Sequence, residues 1–108
     1  MKHAVVVLSI VAFAAILAAP VVAQDDAAIT KGKSVFAAQK CAMCHAIDGK
    51  GNKNAPLDGI GGKLSADDIK KWIVSPKDMK ADTKMKAYPS LTAEDLDALV
   101  AYLSSLKK

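Results

Sequence analysis

An uncharged apolar run from Ala4 to Ala19 opens the chain, and beyond it apolar residues recur mainly at helical spacing. Ile29, Gly32 and Phe36 fall at i, i+3 and i+7, on one face of a helix expected from about Ala27 to Gln39. Asp25 or Asp26 is positioned to cap it by accepting from the unpaired N–H groups of the first turn. Gly32 inside a helix costs about 1 kcal/mol relative to Ala, so another helix is expected to approach closely there. A second helix opens on Ser65-Ala66-Asp67-Asp68, a capping pattern with acids in the first turn, and carries Ile69, Trp72 and Ile73 on one face. Pro76 is expected to stop it near Val74. The last helix opens on Thr92-Ala93-Glu94-Asp95 and has Leu96, Leu99, Val100, Leu103 and Leu106 as its apolar stripe. Lys107 and Lys108 suit the negative end of its dipole.

Two stretches between these helices have no period. Residues 46 to 63 carry Gly49, Gly51, Pro56, Gly59, Gly61 and Gly62 with Asn52 and Asn54, a loop composition. Residues 75 to 90 hold Met79, Met85, Tyr88 and Pro89 among charged neighbours. There is no β-strand signal, internal repeat or interdomain linker. The expected fold is therefore all-α, with about three main helices and two long loops. Loops of that length are uncommon in a small domain, so the pattern asks for something held between them.

Composition changes this picture at one end. A hydrophobic fraction of 52% beside 24% charged residues is high, and the excess sits in front. Met1-Lys2-His3, the apolar run, Pro20 and then Val21-Val22-Ala23 form the pattern of a secretory signal peptide, residues 1–23, cleaved after Ala23. An uncleaved anchor is the other reading, but the run is at or below the roughly 20 residues a spanning helix needs. Residues 24–108 are then a single exported domain with no stable membrane anchor after cleavage. So short a chain builds a thin core and commonly needs a staple or a cofactor. Without the leader and its Lys2 there remain 14 lysines, no arginine and 11 acidic residues, a formal charge of +3. That mild excess, with few aromatics, argues against nucleic acid. Lysines without arginine suit brief encounters with an acidic protein surface better than bidentate phosphate recognition.

The chemistry concentrates in Cys41-Ala42-Met43-Cys44-His45. Two thiols spaced by two residues can each add to a porphyrin vinyl group, and the imidazole that follows can reach the iron: C-x-x-C-H is the attachment signal for a covalent heme c. A zinc site would need more ligands, since only His3, in the expected leader, and no third Cys are available. A thioredoxin-like dithiol would sit in a βαβ pattern, which is missing. A disulfide between Cys41 and Cys44 would leave His45 unexplained. The leader supports the motif, because heme thioethers are made outside the cytoplasm, in an oxidising compartment.

His45 supplies one axial ligand, and the occupant of the opposite face decides between electron transfer and an open coordination position. With no further His in the domain, the candidates are Met43, Met79, Met85, a Lys amine or a Tyr phenolate. Met43 lies between the anchoring thiols and cannot easily cross to the far face. A thioether opposite His raises the reduction potential.

The span 24–108 resembles the small bacterial class I cytochromes c, the monoheme His/Met electron carriers. The likeness runs through Gly32 and Phe36, Cys41 to His45, Ala55-Pro56-Leu57, Trp72-Ile73 with Pro76, Thr83-Lys84-Met85, Tyr88-Pro89 and Ala101-Tyr102-Leu103. It implies the class I cytochrome c fold wrapped around one heme, with Met85 rather than Met79 as second axial ligand. It further implies that the Pro56 carbonyl accepts from the free ring nitrogen of His45, and that Trp72 lies along the heme edge. Gly32 and Phe36 would cross the last helix near Leu99 and Tyr102. The chain departs from the family in one place: Lys86 follows Met85 where proline is common, which leaves that loop less stiff.

The expected function is a soluble, monomeric, periplasmic one-electron carrier, not an enzyme, cycling Fe(III)/Fe(II) between redox partner proteins. Lys50, Lys53, Lys80, Lys84 and Lys86 are expected to steer partners with acidic docking surfaces. The alternative is a heme protein with a labile sixth ligand, acting as a peroxidase or small-gas sensor.

Overall fold

Val21–Ala38 (α1), Ala66–Val74 (α3) and Ala93–Ser104 (α5) are the helices that carry the apolar stripes. The computed structural model describes residues 21–107, and side chains from residue 26 onward. Residues 1–20, most of the expected leader, lie outside the described residues. Two single-turn helices, Ile60–Lys63 (α2) and Pro76–Met79 (α4), sit in the stretches expected to be loops. Ala46–Ile47 (β1) and Lys50–Gly51 (β2) form an antiparallel pair, with Ala46 opposite Gly51 and Ile47 opposite Lys50. Among the described residues no helix is long and apolar enough to cross a membrane.

The caps expected for α3 and α5 form. The Ser65 hydroxyl accepts from the Asp68 N–H at 3.2 Å, and the Thr92 hydroxyl from the Asp95 N–H at 3.1 Å. α3 ends at Val74, and Pro76, whose fixed φ suits a first helical position, opens α4 instead of a loop. Helix α1 departs from expectation: the chain is already helical at Val21, the first described residue, and not only after a cap at Asp25 or Asp26. No glycine or proline lies between Val21 and Gly32, so nothing breaks the helix there.

The missed hairpin has a plain cause in Asp48-Gly49. Both residues lie at positive φ, 52° and 76°, as a two-residue reversal between antiparallel strands requires. The Asp58 carboxylate accepts from the Asp48 N–H at 2.8 Å and ties this turn to the segment leading into α2. Helix α2 itself depends on contacts far along the chain. A Cβ at Gly61 would collide with the Ser104 carbonyl, and the Gly61 N–H donates to Leu106 O at 2.9 Å.

The core lies between α1, α3 and α5: Val35, Ile47, Ile69, Ile73, Leu96, Leu99 and Leu103 are buried together. Gly32 lets α1 and α5 touch, since a Cβ there would collide with the Ala98 carbonyl oxygen and crowd Tyr102. One turn on, Phe36 meets Tyr102 edge to face, centroids 5.9 Å apart at 85°. Lys31 closes the same pair of helices by an ion pair with Glu94, with Asp95 3.7 Å away.

Candidate functional site

Helix α1 delivers the reactive stretch and then stops abruptly. The Gln39 N–H still reaches Val35 O at 2.9 Å, but Lys40 turns left-handed at φ 57° and diverts the chain. Cys41–Met43 follow as one 3₁₀ turn, in which the N–H groups of Cys44 and His45 both donate to the Cys41 carbonyl, at 3.1 and 3.0 Å. Side chains three apart eclipse in such a turn. Cys41 and Cys44 are thus presented together as free thiols, the first half-buried and the second exposed. Burial pushes the Cys41 thiol up, and the neighbouring Cys44 adds to that.

The turn is stapled from the end of β2 and the residue that follows it. Asn52 donates from its backbone to Ala42 O at 3.0 Å and from its side chain to Met43 O at 3.1 Å. Gly51, at φ 104°, passes so close that a Cβ would collide with the His45 carbonyl. Neither residue was singled out in the sequence as more than loop composition. The signal available for them was Asp48-Gly49, which brings 51 and 52 back alongside 42 to 45.

His45 Nδ1 lies 2.9 Å from the Ala55 carbonyl oxygen. A carbonyl only accepts, so Nδ1 carries the proton and Nε2 keeps its lone pair for a metal. The expected acceptor was the Pro56 carbonyl, and this is corrected to Ala55. The peptide joining Pro56 to Leu57 spends its N–H on Ala46 O at 2.8 Å, and in a trans peptide the carbonyl then points the opposite way. Pro56 is exposed and aligns beside Ala46, which places the Ala55 carbonyl under the imidazole.

The second loop is fastened to α3. The Tyr88 N–H donates to Ile73 O at 2.9 Å, fixing the loop on α3. Burial pushes the Tyr88 phenol up, and the charges of Cys41 and Cys44 add to the shift. Met85 is half-buried between exposed Lys84 and Lys86. Met79, the last residue of α4, instead lines a surface groove with Asp67, Lys70, Lys71, Val74, Ser75 and Asp78, which contains none of Cys41, Cys44, His45 or Met85. Met43 is 70% exposed and turned to solvent. Trp72 is half-buried and stands outside the apolar cluster that takes its helix neighbours Ile69 and Ile73.

Among the described residues no three His, Cys, Asp or Glu side chains converge to hold a metal ion, and the two cysteines are not joined. Two free thiols one turn apart and an adjacent imidazole with Nε2 free are the donor set of a c-type heme protein.

The class narrows to a family. The family model for cytochrome c matches residues 29–107, and the chain belongs to that family. Among similar proteins is the cytochrome c oxidase subunit 2 of Alkalihalophilus pseudofirmus, 37% identical over 86 residues, a match covering 71% of this chain and 25% of that protein. The chain thus spans about a quarter of that relative's length. Membership brings the class I cytochrome c fold, heme and its iron, and electron transport. The long stretches between the main helices are accounted for on the same basis.

Proposed function

We propose that this chain is a soluble one-electron carrier that holds a single heme c through Cys41 and Cys44, with His45 and Met85 as axial ligands. The observation that carries the proposal is the 2.9 Å bond from His45 Nδ1 to Ala55 O, which orients the imidazole and leaves Nε2 as the metal-binding nitrogen. Bound at these residues, the heme supplies a one-electron Fe(III)/Fe(II) couple.

The chain's residues do the rest. Gly51 and Asn52 hold the attachment turn in one shape, and Ala55 fixes the ring plane of His45. Met85 offers a soft thioether from a loop pinned to α3 through Tyr88, whereas Met79 is occupied in a groove on the polar side of α3. Exposed Pro56 and half-buried Trp72 border the cofactor in this reading. Lys50, Lys53, Lys80, Lys84 and Lys86 are all exposed and favour brief docking of acidic partner surfaces on a monomer. The likeness to part of an oxidase subunit supports an oxidase-type enzyme as electron acceptor. A leader of residues 1–23 would deliver the protein to the periplasm.

Visible spectra of the oxidised and reduced protein, with its intact mass, test the proposal. A mass increment of one heme with a six-coordinate low-spin spectrum is expected, and Met85→Ala, but not Met79→Ala, abolishes the sulfur–iron charge-transfer band. Carbon monoxide binding to the ferrous parent at neutral pH would overturn the carrier reading in favour of a labile sixth position.

A further inference from the structure

Lys86 replaces the residue that would stiffen the chain next to Met85, yet the segment is not left loose, because its hydrogen bonds converge on Thr83. The Thr83 N–H donates to Lys80 O at 3.1 Å, its carbonyl accepts from Lys77 Nζ at 3.4 Å, and its hydroxyl accepts from the Met85 N–H at 3.2 Å. The first two contacts join Thr83 to α4 and the residue after it. The third is a two-residue side-chain turn that sets the backbone direction at Met85. On the other side, Tyr88 is fixed by its N–H to Ile73 O at 2.9 Å, and Lys86 Nζ lies 5.6 Å from the centre of the Tyr88 ring. Met85 is therefore held between two fastenings, one at 83 and one at 88. Met85 is half-buried while Lys84 and Lys86 on either side are exposed.

We infer that Thr83 is a positioning residue for the Met85 thioether: its hydroxyl, not chain stiffness, keeps the sulfur in place against the heme. The inference rests on Met85 being the axial ligand. Removing the hydroxyl leaves a half-buried N–H unpaired and frees the segment between Lys80 and Tyr88, which raises the fraction of time the sulfur is away from iron. A ligand that competes for the sixth position then gains affinity by the same factor.

The test uses the heme-loaded protein, with imidazole as the competing ligand and guanidinium unfolding as a second readout. Loss of one such hydrogen bond corresponds to roughly a five- to tenfold gain in imidazole affinity for Thr83→Val. Thr83→Ser, which keeps the hydroxyl, should match the parent, and the gain for Thr83→Val should exceed any change that the unfolding midpoint accounts for. Parent-like imidazole affinity in Thr83→Val overturns the inference, as does an equal gain in Thr83→Ser. Met85→Ala separates this from the underlying reading. If it retains the charge-transfer band, the ligand assignment fails; if the band is lost while Thr83→Val is parent-like, only the role of Thr83 fails.

Discussion

Single backbone atoms decide much about this site. Gly51 and Gly32 are each placed where a side-chain carbon meets a carbonyl oxygen, of His45 and of Ala98 respectively. Ala has the better helix propensity by about 1 kcal/mol, but at Gly32 that gain is outweighed by prising α1 from α5. Gly32→Ala is expected to lower unfolding free energy by about 1–3 kcal/mol, measured by denaturant unfolding. Gly51→Ala adds left-handed strain to the collision and should reduce the proportion of chains that acquire heme, measured by intact mass. Gly32 was legible in the sequence because a glycine within a helical pattern demands a neighbour. The acceptor for His45 was not: Ala55 and Pro56 are adjacent, and only the orientation of one peptide plane, set by Leu57 bonding to Ala46, chooses between their carbonyls.

Helices whose caps and stripes are local in sequence were readable almost to the residue, as α3 and α5 show. Their caps give a direct check, since Thr92→Ala should cost about 1 kcal/mol in equilibrium unfolding. Helix α2 was not readable, because Ile60–Lys63 contains two glycines and is held by Ser104 and Leu106, more than forty positions away. The hairpin was readable in principle from Asp48-Gly49 but is only two residues per strand, too short for an alternating pattern to register. Between α1 and α5 the Lys31–Glu94 pair adds a pH dependence. The Lys31 ammonium, bonded to it, holds the Glu94 carboxyl below its ordinary 4.5. A depressed carboxylate stabilises the fold above that value, and its contribution fades as pH falls through the folded value. The stability difference between parent and Glu94→Gln should therefore be level from about pH 6 to 8 and shrink below about pH 4. Thermal unfolding of both proteins across that range measures it.

At the scale of the molecule, 15 lysines against 11 acidic residues leave a mild positive charge, with lysines exposed in both connecting segments. If these steer an acidic partner, the second-order rate of electron exchange should fall as salt rises past about 0.1 M, where the Debye length shortens to roughly 10 Å. A rate flat in ionic strength would rule steering out. The pairing of α1 with α5 has a different kind of consequence, one of timing. Lys31 and Glu94 are 63 positions apart, and closing a loop of that length costs about 4 kcal/mol in chain entropy. At about 5–20 residues per second, several seconds of synthesis separate the two helices. A nascent chain therefore carries Cys41 to His45 for that interval before α5 is available to complete the core with α1.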